Sequence, residues 1–223
     1  MKSTPIFAAA AATLALAACE VTVKEPASDA QANGSAEALP QDPLARQRAQ
    51  QAAQARAEAQ RQLEQLRVLV DISDRKVRLL NGDQVVAMHD ATVGSKEWPT
   101  PTGKWAFHRV DINPEWIPPK EEKWAAKEER KGPGDPENPM GRARLVYRMP
   151  NTIHGTTDID SLGTATSHGS IRVANSIALE MAQLLLKAGG AWEGDEWFAQ
   201  MVQNRTKEFQ IPLDRKIPVE VVD

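Results

Sequence analysis

Cysteine is almost absent from this chain: of 223 residues, only Cys19 carries a thiol. No disulfide can therefore close within one chain, and any thiolate chemistry is confined to that position. A second lack is of basic excess. The formal net charge of −3 and pI near 5.9 give no reason to expect nucleic acid as a partner. A third is of long apolar runs: Pro5 to Ala15 is Ala-rich and apolar but too short to cross a bilayer as a stable helix. Common zinc-ligand spacings are missing too, so neither a metal nor a cofactor is expected.

What the N-terminus does have is Lys2 ahead of that apolar run, the layout of an export signal over residues 1–18. Leu16-Ala17-Ala18-Cys19 closes it and resembles a bacterial lipobox. That resemblance implies a lipidated Cys19 as the first mature residue, a membrane anchor, and a place in the cell envelope facing the periplasm. The alternative is an ordinary signal with an incidental cysteine. If the lipid takes Cys19, no catalytic thiol remains. Residues 19–42 are rich in Ala, Ser, Glu, Gln, Asn and Pro, and are expected to be a tether. Residues 43–66 hold strong helix formers with large apolar side chains only at the ends, the pattern of a helical stalk; a continuation of the tether is the alternative.

From Arg67 the texture changes, and residues 67–223 are read as one domain. Short β-branched runs at 68–72, 77–80 and 85–88 predict strands, with Asn81-Gly82 as the two central residues of a type I′ turn. Further strands are expected at 104–110, 144–149, 208–211 and 218–222. Ile177, Met181, Leu184, Leu185 and Ala188 recur at helical spacing, with Asn175 placed to cap the start and Gly189-Gly190 to end it. Residues 195–204 predict a second, shorter helix. Many strands with helices segregated late argue for an antiparallel β-rich domain rather than alternating βα units. The charged stretch 120–137, containing Trp124, reads either as a solvated loop or as a lid. Of the six tryptophans, at 98, 105, 116, 124, 192 and 197, one is a candidate for lining a glycan or peptide groove. His89 and His108 fall in predicted strands without partners and are read as structural or surface residues.

The densest cluster of chemistry-bearing residues is Ser167-His168-Gly169-Ser170-Ile171-Arg172, with His154-Gly155 sixteen residues before Ser170. Thr100-Pro101-Thr102-Gly103, Asn113-Pro114, Asn138-Pro139-Met140-Gly141-Arg142-Ala143 and Ile217-Pro218-Val219-Glu220-Val221 precede and follow it in order. This series resembles the L,D-transpeptidase (YkuD-type) family over roughly residues 66–223. That family has Cys where Ser170 stands here. The resemblance implies a mainly β fold, sandwich-like with mixed sheets, and a late helix against one side. It also implies acyl transfer on peptidoglycan tetrapeptide stems, with Ser170 as nucleophile, His154 as base, and the Gly155 carbonyl orienting the imidazole. His168 and the N–H groups around Gly169-Ser170 would form the oxyanion site, and Arg172 would engage a peptide carboxylate or brace the loop.

A thiol beside a histidine ionises readily, whereas a serine proton must move during attack. The imidazolium then formed wants a negative partner. Asp158 and Asp160 are the candidates for that partner, with ordinary turn residues as the alternative. Two functions stay open: a serine-dependent acyltransferase, or a silent protein that binds stem peptides. Oligomeric state is not legible.

Overall fold

A computed structural model describes residues 42–223. The signal, Cys19 and all of the tether except Asp42 lie outside the described residues. Helix α1 (Pro43–Glu64) runs over the expected stalk, begins with Pro at its first position, and is capped by the Asp42 carboxylate, which accepts from the Leu44 N–H at 3.2 Å. No residue of α1 is buried. Arg215 ties its end to the body, donating to the Leu63 and Glu64 carbonyls at 2.9 and 3.2 Å. No described helix is long and apolar enough to cross a membrane.

Ten strands follow: β1 (Leu66–Asp71), β2 (Lys76–Asn81), β3 (Gln84–Asp90), β4 (Val93–Gly94), β5 (Gly103–Ile112), β6 (Ala143–Arg148), β7 (Asn151–Thr156), β8 (Ala165–Ser167), β9 (Ile171–Ala174) and β10 (Phe209–Val222). Two helices, α2 (Asn175–Ala188) and α3 (Asp195–Gln203), separate β9 from β10. Eight strands form one mixed sheet in the order β3-β2-β1-β10-β5-β6-β7-β9, and β4 and β8 pair separately. The fold is mainly β with late helices and an N-terminal helix, as the sequence implies, but it is not purely antiparallel. β1 runs parallel to β10 and β7 parallel to β9.

Two local expectations shift. Asn81 still pairs, with Gln84, so the turn is Gly82-Asp83; Gly82 alone takes positive φ, +57°. That is the glycine-first requirement of a II′ turn rather than I′. The segments expected at 208–211 and 218–222 are one strand, interrupted by an irregularity between Pro212 and Ile217.

α2 lies on one face of the sheet and buries Ala178, Met181, Ala182, Leu185, Leu186 and Ala188, with Ile177 and Leu184 half-buried beside them. Each large aliphatic side chain so removed from water contributes about 1.5–3 kcal/mol. Asn175 does not cap this helix. Its Oδ1 accepts instead from the Arg142 N–H at 2.8 Å, tying the loop before β6 to the helix start.

Candidate active site

The site is built on the β7–β9 pair. Parallel register sets His154 opposite Arg172, and side chains two apart share a face. Thr152, His154, Ser170 and Arg172 therefore project together, while Ile153, Ile171 and Val173 turn to the core. All four line one cleft of about 990 Å³. Ser170 lies one pleat, about 6.6 Å along the strand, from the residue paired with His154. This offset explains what holds its hydroxyl: the Thr152 N–H donates to Ser170 Oγ at 3.2 Å, and among the described residues no hydrogen bond joins Ser170 to His154.

His154 is 4% exposed. Its Nδ1 lies 2.9 Å from the Gly155 carbonyl, an acceptor, so Nδ1 carries the proton and Nε2 is left basic. Burial is the main force on its titration and pulls the pKa down to about 4; the Gly155 bond opposes this, and Arg172 and Arg144 push further down. The imidazole is neutral at neutral pH. A Cβ at Gly155 would stand 2.2 Å from Asn175 Oδ1, so the close approach of that amide requires glycine there.

Neither carboxylate expected near the base reaches it. Asp158 turns to Arg172, 3.7 Å from Nη1, and its backbone N–H donates to Thr156 Oγ1. Asp160 sits in the short 3-10 turn Ile159–Ser161 with no bond to either ring nitrogen. The connector leaves the end of β7 after Thr156 and turns Asp158 toward Arg172. Arg172 braces it, donating to Thr166 Oγ1 at 3.1 Å, while its buried Nε has no partner among the described residues.

The oxyanion loop differs from expectation in one donor. Gly169, at φ +97°, donates its N–H to Ser167 Oγ at 3.2 Å, and the Ser167 hydroxyl donates in turn to the Ser170 carbonyl. The Gly169 N–H is thus occupied, whereas the Ser170 N–H donates to no described group.

His168 is held between two indoles. Trp124 stacks on it at 3.8 Å between centroids and 15° between planes, and Trp98 lies tilted at 4.4 Å. Trp124 belongs to the 120–137 excursion, which is cinched at its base by paired hydrogen bonds between Trp116 and Lys131. The charged stretch thus contributes to the cleft wall, and Trp98, Trp116 and Trp124 all line it. Desolvation lowers the His168 pKa, with Arg172 adding to the effect. Trp124→Ala is expected to return it upward toward the ordinary histidine value, read by NMR titration of the ring C–H; an unchanged midpoint would show that the indole does not control its hydration.

The far wall is ionic. Asp111 is fully buried and accepts from Arg109 Nε at 2.7 Å and Arg144 Nε at 2.7 Å; Arg144 also donates to Glu208 at 2.9 Å. No sequence pattern announced this network, because its members are brought together across β5, β6 and β10.

A mixed sheet with a late helix carries His-Gly on one strand and Ser-His-Gly-Ser before its parallel neighbour. The chain belongs to the L,D-transpeptidase catalytic domain (YkuD) family, whose family model matches residues 65–211. Similar solved structures include an L,D-transpeptidase from Mycobacterium smegmatis, 14% identical, with TM-score 0.44, covering 71% of this chain and 59% of that one. A cysteine-to-serine mutant of the Enterococcus faecium L,D-transpeptidase is 15% identical, with TM-score 0.42, covering 71% and 50%. The chain spans about three fifths or less of the length of these proteins. No curated protein matches by sequence.

Proposed function

We propose that this protein performs peptidoglycan L,D-transpeptidase-type acyl transfer with Ser170 as nucleophile, anchored in the cell envelope through lipidated Cys19 and facing the periplasm. The observation that carries the reading is the shared cleft face of His154 and Ser170 inside a domain of this family. Ser170 Oγ attacks the carbonyl of the third residue of a tetrapeptide stem as its proton passes to His154 Nε2. The amide C–N bond breaks, and the proton returns to the departing D-alanine amine. An amine of another stem, or water, then attacks the Ser170 ester and regenerates the hydroxyl. The hydrogen bond between Ser170 and His154 forms in the substrate complex, where catalytic hydrogen bonds tighten.

A second reading has its own observation. A hydroxyl engaged by the Thr152 N–H rather than by the base also suits a protein that binds stem peptides without turning them over. One experiment separates the two: D-alanine release from tetrapeptide stems followed by mass spectrometry with wild type, Ser170→Ala and Ser170→Cys. Release by wild type, reduced by at least about 10³-fold in Ser170→Ala, is the expected result. Release confined to Ser170→Cys would establish the silent binder.

A further inference from the structure

We propose that the side-chain amide of Asn151 is the second donor to the developing oxyanion, in the place that the Gly169 N–H leaves unfilled. This rests on the acyl-transfer reading of Ser170. Tetrahedral intermediates of acyl transfer are held by two or more aimed donors, and side-chain amides serve as well as backbone groups. In this loop one backbone candidate is already used: Gly169 donates to Ser167 Oγ. The Thr152 N–H is used as well, on the nucleophile itself. Of that backbone pair only the Ser170 N–H remains, and the His168 ring is packed against Trp124 and Trp98.

Asn151 opens β7, three residues before His154, and lines the same cleft as Ser170. Its amide orientation is dictated by chemistry. Arg148 Nη1 lies 2.8 Å from Asn151 Oδ1, and a guanidinium only donates, so the oxygen must face Arg148 and the NH₂ must face away. Arg148 is itself held over the Trp105 ring at 5.7 Å, and its backbone pairs with Asn151 across the hairpin. The NH₂ then comes against the nucleophile loop: a Cβ built on Gly169 would lie 2.8 Å from Asn151 Nδ2. Nδ2 donates to no described residue. Two unspent donors, the Ser170 N–H and the Asn151 amide, thus flank the same α-carbon beside the reacting oxygen. The close packing supplies a second reason for glycine at 169, besides its φ.

The test measures kcat and KM for D-alanine release by the full-length protein and its Asn151→Ala and Asn151→Asp variants, each also in the Ser170→Cys background. Affinity for the intact tetrapeptide is measured in parallel with Ser170→Ala carrying the same changes. Asn151→Asp keeps the shape and the Arg148 contact but replaces donors with an acceptor. Both variants are expected to lose about 10²- to 10³-fold in kcat with peptide affinity within about threefold of the parent. The proposal is overturned if kcat stays within about threefold, if kcat and affinity fall together, or if Asn151→Asp retains activity that Asn151→Ala loses, since that would mark a bracing role through Arg148. Release by Ser170→Cys but not by wild type overturns the serine mechanism alone, because the loss on changing Asn151 is still read in the cysteine background. No release from either nucleophile overturns both.

Discussion

His154→Gln is expected to lower D-alanine release by about 10⁴-fold or more, the size of effect seen when the base of a hydroxyl nucleophile is removed or misprotonated. Glutamine can still meet the Gly155 carbonyl but offers no basic nitrogen. Wild-type kcat/KM should also show an unusual acid limb. The base titrates near pH 4 because it is buried and faces Arg172 and Arg144, so activity should hold down to about pH 5 and fall below that, where a histidine at 6.5 would already have lost most of its basic form. Folding stability is linked to the same proton. The unfolded imidazole titrates at its ordinary value and the folded one lower, so the stability gained by keeping it neutral is complete above pH 6.5. It is lost as the pH falls toward 4, by roughly 3 kcal/mol. Urea titrations at pH 7 and pH 4.5 check this, because His154→Gln should lack that share of the acid loss.

Asp111→Ala should destabilise the domain by about 3–5 kcal/mol, the usual result of removing one partner from a buried ion pair and stranding the other. Asp111 is inaccessible to solvent, and both of its oxygens are engaged by guanidiniums. Without it, Arg144, with only 13% of its side chain exposed, keeps Glu208 and the Glu115 carbonyl as partners, and Arg109 loses its carboxylate. The denaturant midpoint reads the loss. A midpoint within experimental error of wild type would mean that water replaces the carboxylate at no cost.

The residues that show themselves in the sequence are those whose local chemistry is self-contained. α2 is legible from Ile177 to Ala188 because an amphipathic stripe needs no knowledge of its partner, and the first three strands are legible because β-branched runs sit between turn residues. β7 is not, although it carries His154. Its core-facing positions are Ile153 and Gly155 and its other face is Thr152, His154 and Thr156, so a strand buried on both sides offers only one large apolar side chain. Ser170, His154, His168 and Arg172 are recognisable as a spaced set. The partners that decide their behaviour are not, because Thr152, Asn151, Arg144 and the indoles of Trp98 and Trp124 meet them only through strand register and loop closure. Asn175 shows the same limit from the other side: it stands where a cap belongs, yet its side chain is recruited by Arg142. Asp158 and Asp160 are near the base along the chain, yet neither bonds its ring and Asp158 turns to Arg172 instead, which is why proximity in sequence misleads there.

The strand between β1 and β5 is β10, so the middle of the eight-stranded sheet comes from residues 209–222. A ribosome or translocation channel delivers residues in order, and this one arrives after every other described element. Until it does, β1 and β5 each present an open edge, and the halves on either side have nothing to join them. Folding of this domain therefore waits for residues 209–222, and a change that removed them would leave two half-sheets with sticky margins, prone to aggregate, rather than a shortened but working protein.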